Sequence, residues 1–539
     1  MDAALSRRSF LGAAVLAVAA TPVLAACGSG GGPAGPAPAG AGTLPTYVPF
    51  NGVAPDSPGA AGRASDVFFR YPASPARAIA AIPGDGKPFT ALTIADIAPP
   101  ALGANQFWQR VNERIGSPYQ PSFAPGADYP AKFATVSAGG AMPDFFTVLP
   151  DTPSQTELFA ATALDLSEHL AGDAIKDYPS LANIPTESWR GTVFNGRIYA
   201  LPITRGIQNT WVMYSRKDLL AAAGITADPR DFADFEAQLK ALTDPSRNRW
   251  ALASVPLDYV RQMLGVPNRW SAEGGTLTSA LSHAAQQEAL EATRKLVEAG
   301  YVNPDAATSP NERQKTWLLA GSSAFGWFTL SAWPTLKTEG SGAYDARGTT
   351  VPGFAAGGVG RAWLGDPNHS IVGISKANKD RVKTILKMAD WLATPFGTEE
   401  YLFRNYGVEG VHYTMADGTP TPIADKSPER SLGLSYLSAP PRVNFAPLKE
   451  VLLANQKFEF AVTENAVGNA ATGLYSNTQS RRGVALDTAI KNLELDIVLG
   501  RKPVSAWAAG VQTYLNNGGK AIAAELQKAA DANRGTGGS

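Results

Sequence analysis

Short apolar segments alternate with amphipathic stretches from Phe89 onward, and this alternation limits the possible folds more than any other feature. Phe89-Thr-Ala-Leu-Thr-Ile94 reads as a first strand. Asn105 to Ile115 follows, with Phe107, Trp108, Val111 and Ile115 at helical spacing. Tyr129 to Ala138 is a second helix, and Phe145-Phe-Thr-Val148 a short apolar strand. Strands alternating with helices argue for parallel α/β layers.

The pattern continues through the chain. Val193-Phe-Asn195-Gly196-Arg-Ile198 is a hairpin, because an Asn-Gly pair tolerates the positive φ of a tight turn. Thr210 to Tyr214 is a strand, followed by a helix ending near Gly224. Asp228-Pro229 is expected to cap an amphipathic helix that presents Phe232, Phe235, Leu239 and Leu242. Ser282 is expected to open a helix running to Gly300, with Glu291 and Lys295 in support. Ala324–Phe328 and Ser370–Ile374 read as buried strands. Val382, Ile385, Leu386, Ala389 and Leu392 form one helical stripe, stopped by Pro395. Arg482–Leu499 and Ser505–Asn533 are mostly helical, and no internal repeat is present.

The amino end is of another kind. Ser6-Arg7-Arg8-Ser9-Phe10-Leu11 precedes an apolar run, Leu11 to Leu24, which ends in Leu24-Ala25-Ala26-Cys27. The run is short of the ~20 apolar residues of a spanning helix. It reads as an export signal of the twin-arginine kind, ending in a bacterial lipobox. Residues 1–27 are therefore expected to be a lipoprotein signal, with Cys27 the lipidated residue. The alternative is an ordinary secretory peptide with a buried Cys27. Residues 28–42, nearly all Gly, Pro, Ala and Ser, read as a tether. Residues 43–86 read as an extension wrapped partly onto the domain behind it, since Tyr47, Phe50, Phe68, Phe69 and Tyr71 have packing value.

Composition sets limits on function. Lys plus Arg equal Asp plus Glu at 47 each, so no basic field invites nucleic acid. Cys27 is the single cysteine, so stability comes from packing without an internal disulfide. Enzyme motifs are mostly missing: there is no G-x-S-x-G, no H-E-x-x-H, no Walker loop and no G-x-G-x-x-G after a strand. The histidines His169, His283, His369 and His412 are far apart. Glu399-Glu400 reads as a solvated helix face. Glycosidase acids leave no motif, because their two carboxylates meet only in space. Among the tryptophans, Trp317 and Trp391 lie on apolar stripes and read as core. Trp270 and Trp363 lie in stretches rich in Gly, Pro, Asn or Asp and offer a flat surface for a sugar ring, or else a satellite cluster beneath a loop.

Asn195-Gly-Arg-Ile-Tyr-Ala-Leu-Pro202 followed by Met213-Tyr-Ser-Arg-Lys-Asp-Leu-Leu-Ala-Ala-Ala-Gly-Ile225 resembles the extracellular solute-binding proteins of bacterial ABC importers. Pro143-Asp144-Phe145 resembles their step into a strand, and Asn368-His-Ser-Ile-Val-Gly-Ile374 their returning strand. Tyr406-Gly-Val-Glu-Gly-Val-His-Tyr413 and Gly500-Arg-Lys-Pro-Val-Ser505 are similar to the lipoprotein-type, oligosaccharide-binding branch, which includes alginate-oligosaccharide binders. The order of these motifs along one chain is more specific than any one of them. Alginate-type members carry a calcium loop. The corresponding Asp244-Pro-Ser246-Arg247-Asn248-Arg249-Trp250 offers three oxygen side chains, with two arginines intruding and Val255 at the closing position, so no metal and no cofactor are expected.

The resemblance implies a two-lobed α/β fold of the periplasmic-binding-protein type, with each lobe a sheet flanked by helices and the ligand in the cleft. Lobe 1 would hold 89–208 plus 369–440, and lobe 2 would hold 209–368 plus 441–539. Hinge closure would bury the ligand. Ligands of open α/β sheets sit at the carboxyl ends of strands. That places Trp108, Ser137, Gly139, Thr147, Arg205, Gln208, Trp270, Trp327, Trp363 and His369 at the expected site. The tryptophans would stack on rings, while Arg205, Gln208 and His369 would bond hydroxyls or a carboxylate. Arg205 suits an acidic sugar, or alternatively a salt bridge. The expected protein is a monomer tethered outside a membrane, binding an oligosaccharide for ABC permease subunits. The alternatives are a lipid-anchored carbohydrate-active enzyme and a surface sugar sensor.

Overall fold

The computed structural model describes residues 44–339, 346–446 and 448–535. Cys27 and the tether lie outside the described residues. The chain lays down β1 (Phe89–Ile94), β2 (Tyr119–Ala124), β3 (Phe145–Val148) and β4 (Ala200–Thr204). It then crosses to build β5 (Trp211–Arg216), β6 (Trp250–Leu252), β7 (Ser323–Thr329) and β8 (Ala346–Thr349). Finally it returns as β9 (Asn368–Ile374). The first sheet has the order β2-β1-β3-β9-β4 and the second β8-β5-β7-β6.

The parallel layers expected are found in part, and each sheet also holds antiparallel pairs. β1 is parallel to β2 and β3, but β9 runs antiparallel to both β3 and β4. β7 is antiparallel to β5 and parallel to β6. The cause is the double crossing. The chain leaves the first sheet at Thr204 and re-enters it at Asn368, which pairs with Thr204. A strand that comes back at the exit end must run backwards. The two connections are bound side by side: Arg205 and Gly206 both donate to Pro367 O at 2.8 and 2.9 Å. Gly365 lies so close to the backbone that a Cβ there would meet Asn209 O at 2.1 Å.

Each sheet has its own core. Phe89, Phe107, Val111, Ile115, Phe145 and Trp189 are fully buried beside the first sheet. The helix Val382–Leu392 adds Ile385, Leu386, Ala389 and Leu392 to them, and Trp391 is 3% exposed, so the expected stripe is the buried face. Each such large apolar side chain contributes roughly 1.5–3 kcal/mol by leaving water. Against the second sheet, Val212, Tyr214 and Phe328 meet Leu452 and Val462 from the helix Lys449–Thr463. The Asn195-Gly196 hairpin forms as expected, with φ of 52° and 74°.

Other boundaries differ from expectation. The helix Phe232–Leu242 is capped by Asp231, whose side chain accepts from Asp234 N; Asp228 pairs with Lys217 instead. The helix expected from Ser282 starts at Gln286, because residues 280–282 form a separate 3-10 turn. Of Glu399-Glu400, only Glu399 is exposed as a solvated face would be. Glu400 is 4% exposed and accepts from Ala78 N and Ile79 N at 3.1 and 3.0 Å, so the extension supplies the partners that burial requires.

That extension is pinned along its length. Thr46 N donates to Gly172 O and Val48 N to Ala182 O. Val67–Phe68 pairs in parallel with Asn444–Phe445. Tyr71 Oη donates to Thr398 O at 2.5 Å, and Arg381 grips Asp85 through two nitrogens.

Candidate functional site

The first sheet's parallel strands end beside the two crossings. Over those ends lies the segment Ser431 to Leu437. Thr93 Oγ1 donates to Gly433 O at 2.9 Å, and Thr147 Oγ1 donates to Tyr436 O at 2.8 Å. Gly433 takes a φ of 64° and sits 2.8 Å from Ile94 O as measured from an ideal Cβ, so a side chain there would clash. Between this segment and Ile94-Ala95-Asp96-Ile97 is a cavity of about 330 Å³, also walled by Arg404, Asn405, Arg430 and Tyr436.

Arg404 comes from the helix Glu399–Tyr406, which Thr398 caps by accepting from Tyr401 N. The side chain is 8% exposed and its Nε has no hydrogen-bond partner. Its guanidinium carbon lies 5.5 Å from the centre of the Tyr401 ring. Burial pulls its pKa down to about 10, with Arg442 adding to the fall and Tyr401 and Tyr71 resisting it. Arg430 closes a 3-10 stretch and donates to Asn405 O at 2.6 Å and Ser427 Oγ at 3.3 Å; its Nε is buried and unpartnered.

Arg205 follows β4. Burial and then the nearby Arg442 pull its pKa down to about 10, while Tyr436 is a hydrogen-bonding neighbour that resists this. His369, the second residue of β9, lies beside it, with its ring 5.3 Å from that of Tyr436. Burial first, then Arg205 and Arg442, hold the imidazole pKa down to about 4, so it is neutral at pH 7.

Of the residues expected at the site, the structure therefore gathers Thr147, Arg205 and His369 around Tyr436. The others are engaged elsewhere. Trp108 donates Nε1 to Tyr119 O at 3.1 Å and packs on Phe123. Ser137 and Gly139 finish the helix Tyr129–Ala138 and do not line the cavity. Gln208 donates to Glu459 Oε1 and Ser65 Oγ in a buried polar hub. Trp270 starts a hairpin strand and is 7% exposed in a core with Leu257, Val260 and Ile490. Trp327 packs edge-on to Tyr259 at 5.9 Å, and Trp363 Nε1 donates to Val266 O at 2.8 Å. Sequence reasoning missed Arg404, Arg430, Tyr436 and Arg442. The available signal was Arg404 next to Phe403, on the buried face of its helix.

A larger cavity, about 560 Å³, lies among the C-terminal helices. It is less suited to a ligand. Its Arg481 is paired with Glu157 and its Arg482 donates to Asn517 O, so its best donors are already used.

Similarity to known proteins agrees with this architecture. Residues 119–399 match the family model described as bacterial extracellular solute-binding protein. Lipoprotein LipO of Bacillus subtilis (strain 168) is 23% identical over 441 residues, covering 77% of this chain and 86% of LipO. The polygalacturonan/rhamnogalacturonan-binding protein YtcQ of the same organism is 23% identical over 378 residues, 66% of this chain and 75% of YtcQ. The solved alginate-binding protein AlgQ2 superposes with a TM-score of 0.62 at 14% identity, covering 83% of this chain and 98% of that one. The Streptococcus pneumoniae protein FusA, solved with kestose, gives 0.63 at 13% identity, with 83% and 99% covered. At such identities the likeness shows the fold, which is the two-lobed α/β binding-protein fold. With the family model matching more than half of its length, the chain belongs to the bacterial extracellular solute-binding proteins.

Proposed function

We propose that this protein captures an oligosaccharide outside the cell and delivers it to the permease of an ABC transporter, held to the membrane by a lipid on Cys27 after twin-arginine export. In this reading lobe 1 is 89–208 with 369–440, and lobe 2 is 209–368 with 441–539. The observation that carries the reading is the cavity at the carboxyl end of β1, on the side of the first sheet from which the chain crosses. In the cavity wall Tyr436 offers a ring face and Asn405 an amide for hydroxyls, with His369 and Arg205 beside Tyr436. Relatives described as binding polygalacturonan, alginate or kestose support a sugar as ligand. The proposed binder has no catalytic role for these groups.

The test is calorimetric titration of the purified chain with a panel of neutral and acidic oligosaccharides, followed by analysis of the sugars recovered. Saturable binding with the sugar returned intact is expected. Turnover of the sugar, or no binding across the panel, overturns the reading.

A further inference from the structure

Two guanidinium groups, those of Arg404 and Arg430, line this cavity, and two more lie near it. Arg205 and Arg404 each feel Arg442, and Arg430 shares the cavity wall with Arg404. None of the four forms an ion pair among the described residues. Arg404 is 8% exposed and lines the cavity with its Nε unpartnered. Burial also lowers the pKa of Arg430, which only Tyr406 opposes. A buried cation is costly unless an opposite charge and hydrogen bonds meet it, and adding like charges raises that cost. The one carboxylate on the rim, Asp96, has its Oδ1 accepting from Gly126 N at 2.8 Å and is not among the groups acting on these arginines.

Resting on the oligosaccharide-binding reading above, we propose that the ligand is an anionic sugar, whose carboxylate or sulfate supplies the opposite charge that Arg404 and Arg430 lack in the cavity wall. A planar guanidinium meets either group through two parallel hydrogen bonds. Tyr436 takes the ring face, and neutral His369 is left for a hydroxyl. The competing account makes Arg404 structural, spent on the Tyr401 ring at 5.5 Å. Such a contact needs no ligand and predicts no preference for charge.

The experiment measures affinity by calorimetry for four probes. These are a tetragalacturonate, the same tetrasaccharide with its carboxylates reduced to alcohols, a sulfated galactose tetrasaccharide, and inorganic sulfate. One anionic tetrasaccharide is expected to bind at least tenfold tighter than the reduced one, and which of the two it is identifies the group as carboxylate or sulfate. That gap should shrink below threefold in Arg404→Gln. Arg442→Gln, an exposed position that does not threaten folding, should shrink it as well. Raising salt should weaken only the anionic ligand. Equal affinity for reduced and anionic sugars would overturn the inference and leave the oligosaccharide reading standing. Inorganic sulfate binding as tightly as the tetrasaccharides would overturn it by revealing a plain anion site. Failure of all three tetrasaccharides to bind would remove both readings.

Discussion

Glu459 joins three parts of the chain, and removing its carboxylate should loosen all three. The residue is fully buried on the helix Lys449–Thr463. Its Oε1 accepts from Gln208 Nε2 at 2.6 Å, Asn444 Nδ2 at 2.9 Å and Asn455 Nδ2 at 2.9 Å, while Oε2 accepts from Ser65 N at 2.9 Å. Gln208 belongs to the first crossing and Ser65 to the extension. Burial raises the Glu459 pKa, and the hydrogen bonds from Asn444, Ser65, Gln208 and Asn455 oppose that rise. Glu459→Ala strips the acceptor from four donors, each costing about 1–3 kcal/mol when left buried and unpaired. Gln208 keeps Ser65 Oγ at 2.9 Å, and local relaxation recovers part of the rest, so a net loss of about 3–5 kcal/mol is expected. Glu459→Gln retains Oε1 for its three donors and opposes an amide to Ser65 N, so about 1–2 kcal/mol is expected. Urea unfolding followed by tryptophan fluorescence gives both numbers. Hydrogen exchange at Ser65 N should rise in both variants. An alanine variant within 1 kcal/mol of the parent, with Ser65 exchange unchanged, would refute the idea that this hub ties the extension to the crossing.

Asp390 Oδ1 accepts from Ser180 N and Leu181 N, and burial pushes its pKa up to about 7 against those bonds and the Ser180 side chain. Between pH 4 and 7 the folded state keeps a proton that the unfolded state has released, so this contribution to stability is complete at low pH and is lost as pH rises through about 7. Asp390→Asn keeps the accepting oxygen and should be more stable than the parent above pH 7, by on the order of 2–4 kcal/mol; an unchanged difference between pH 4 and 8 would refute this. His369, held down to about 4, works in the opposite sense below pH 6.5 and is present in both proteins, so it cancels in the comparison. Chelator should leave the melting temperature unmoved, because the Asp244 carboxylate is already used by Ser246 Oγ at 2.6 Å and Arg247 at 3.3 Å; a drop reversed by calcium would contradict this. Cys27→Ser should move the protein from the membrane fraction to the soluble one, and an unchanged distribution would remove the proposed anchor.

Periodicity in the sequence determined the elements whose buried faces are apolar. The stripe on Val382–Leu392 and the Asn195-Gly196 hairpin need no knowledge of what packs on them, since spacing and turn chemistry are local. β2 escaped because Pro121 interrupts it, and only the sheet order shows it to be an edge strand, where a missing donor is tolerated. The helix Lys449–Thr463 escaped because its buried face includes Asn455, Gln456, Glu459 and Thr463, and hydrophobic spacing does not register a helix that buries polar groups. Glu400 was misread for the same reason: its partners come from residues more than 300 positions away. The family motifs announced the two sheets and the crossings between them. The cavity was a matter for tertiary structure alone. Loop tryptophans looked suited to sugars, yet Trp270 and Trp363 found partners within the fold. Arg205, Arg404, Arg430 and Arg442 are unremarkable in sequence. Their meaning comes from where the fold puts them, Arg404 out of water and, among the described residues, none of them paired with a carboxylate, and a charge's environment is set by its neighbours in space.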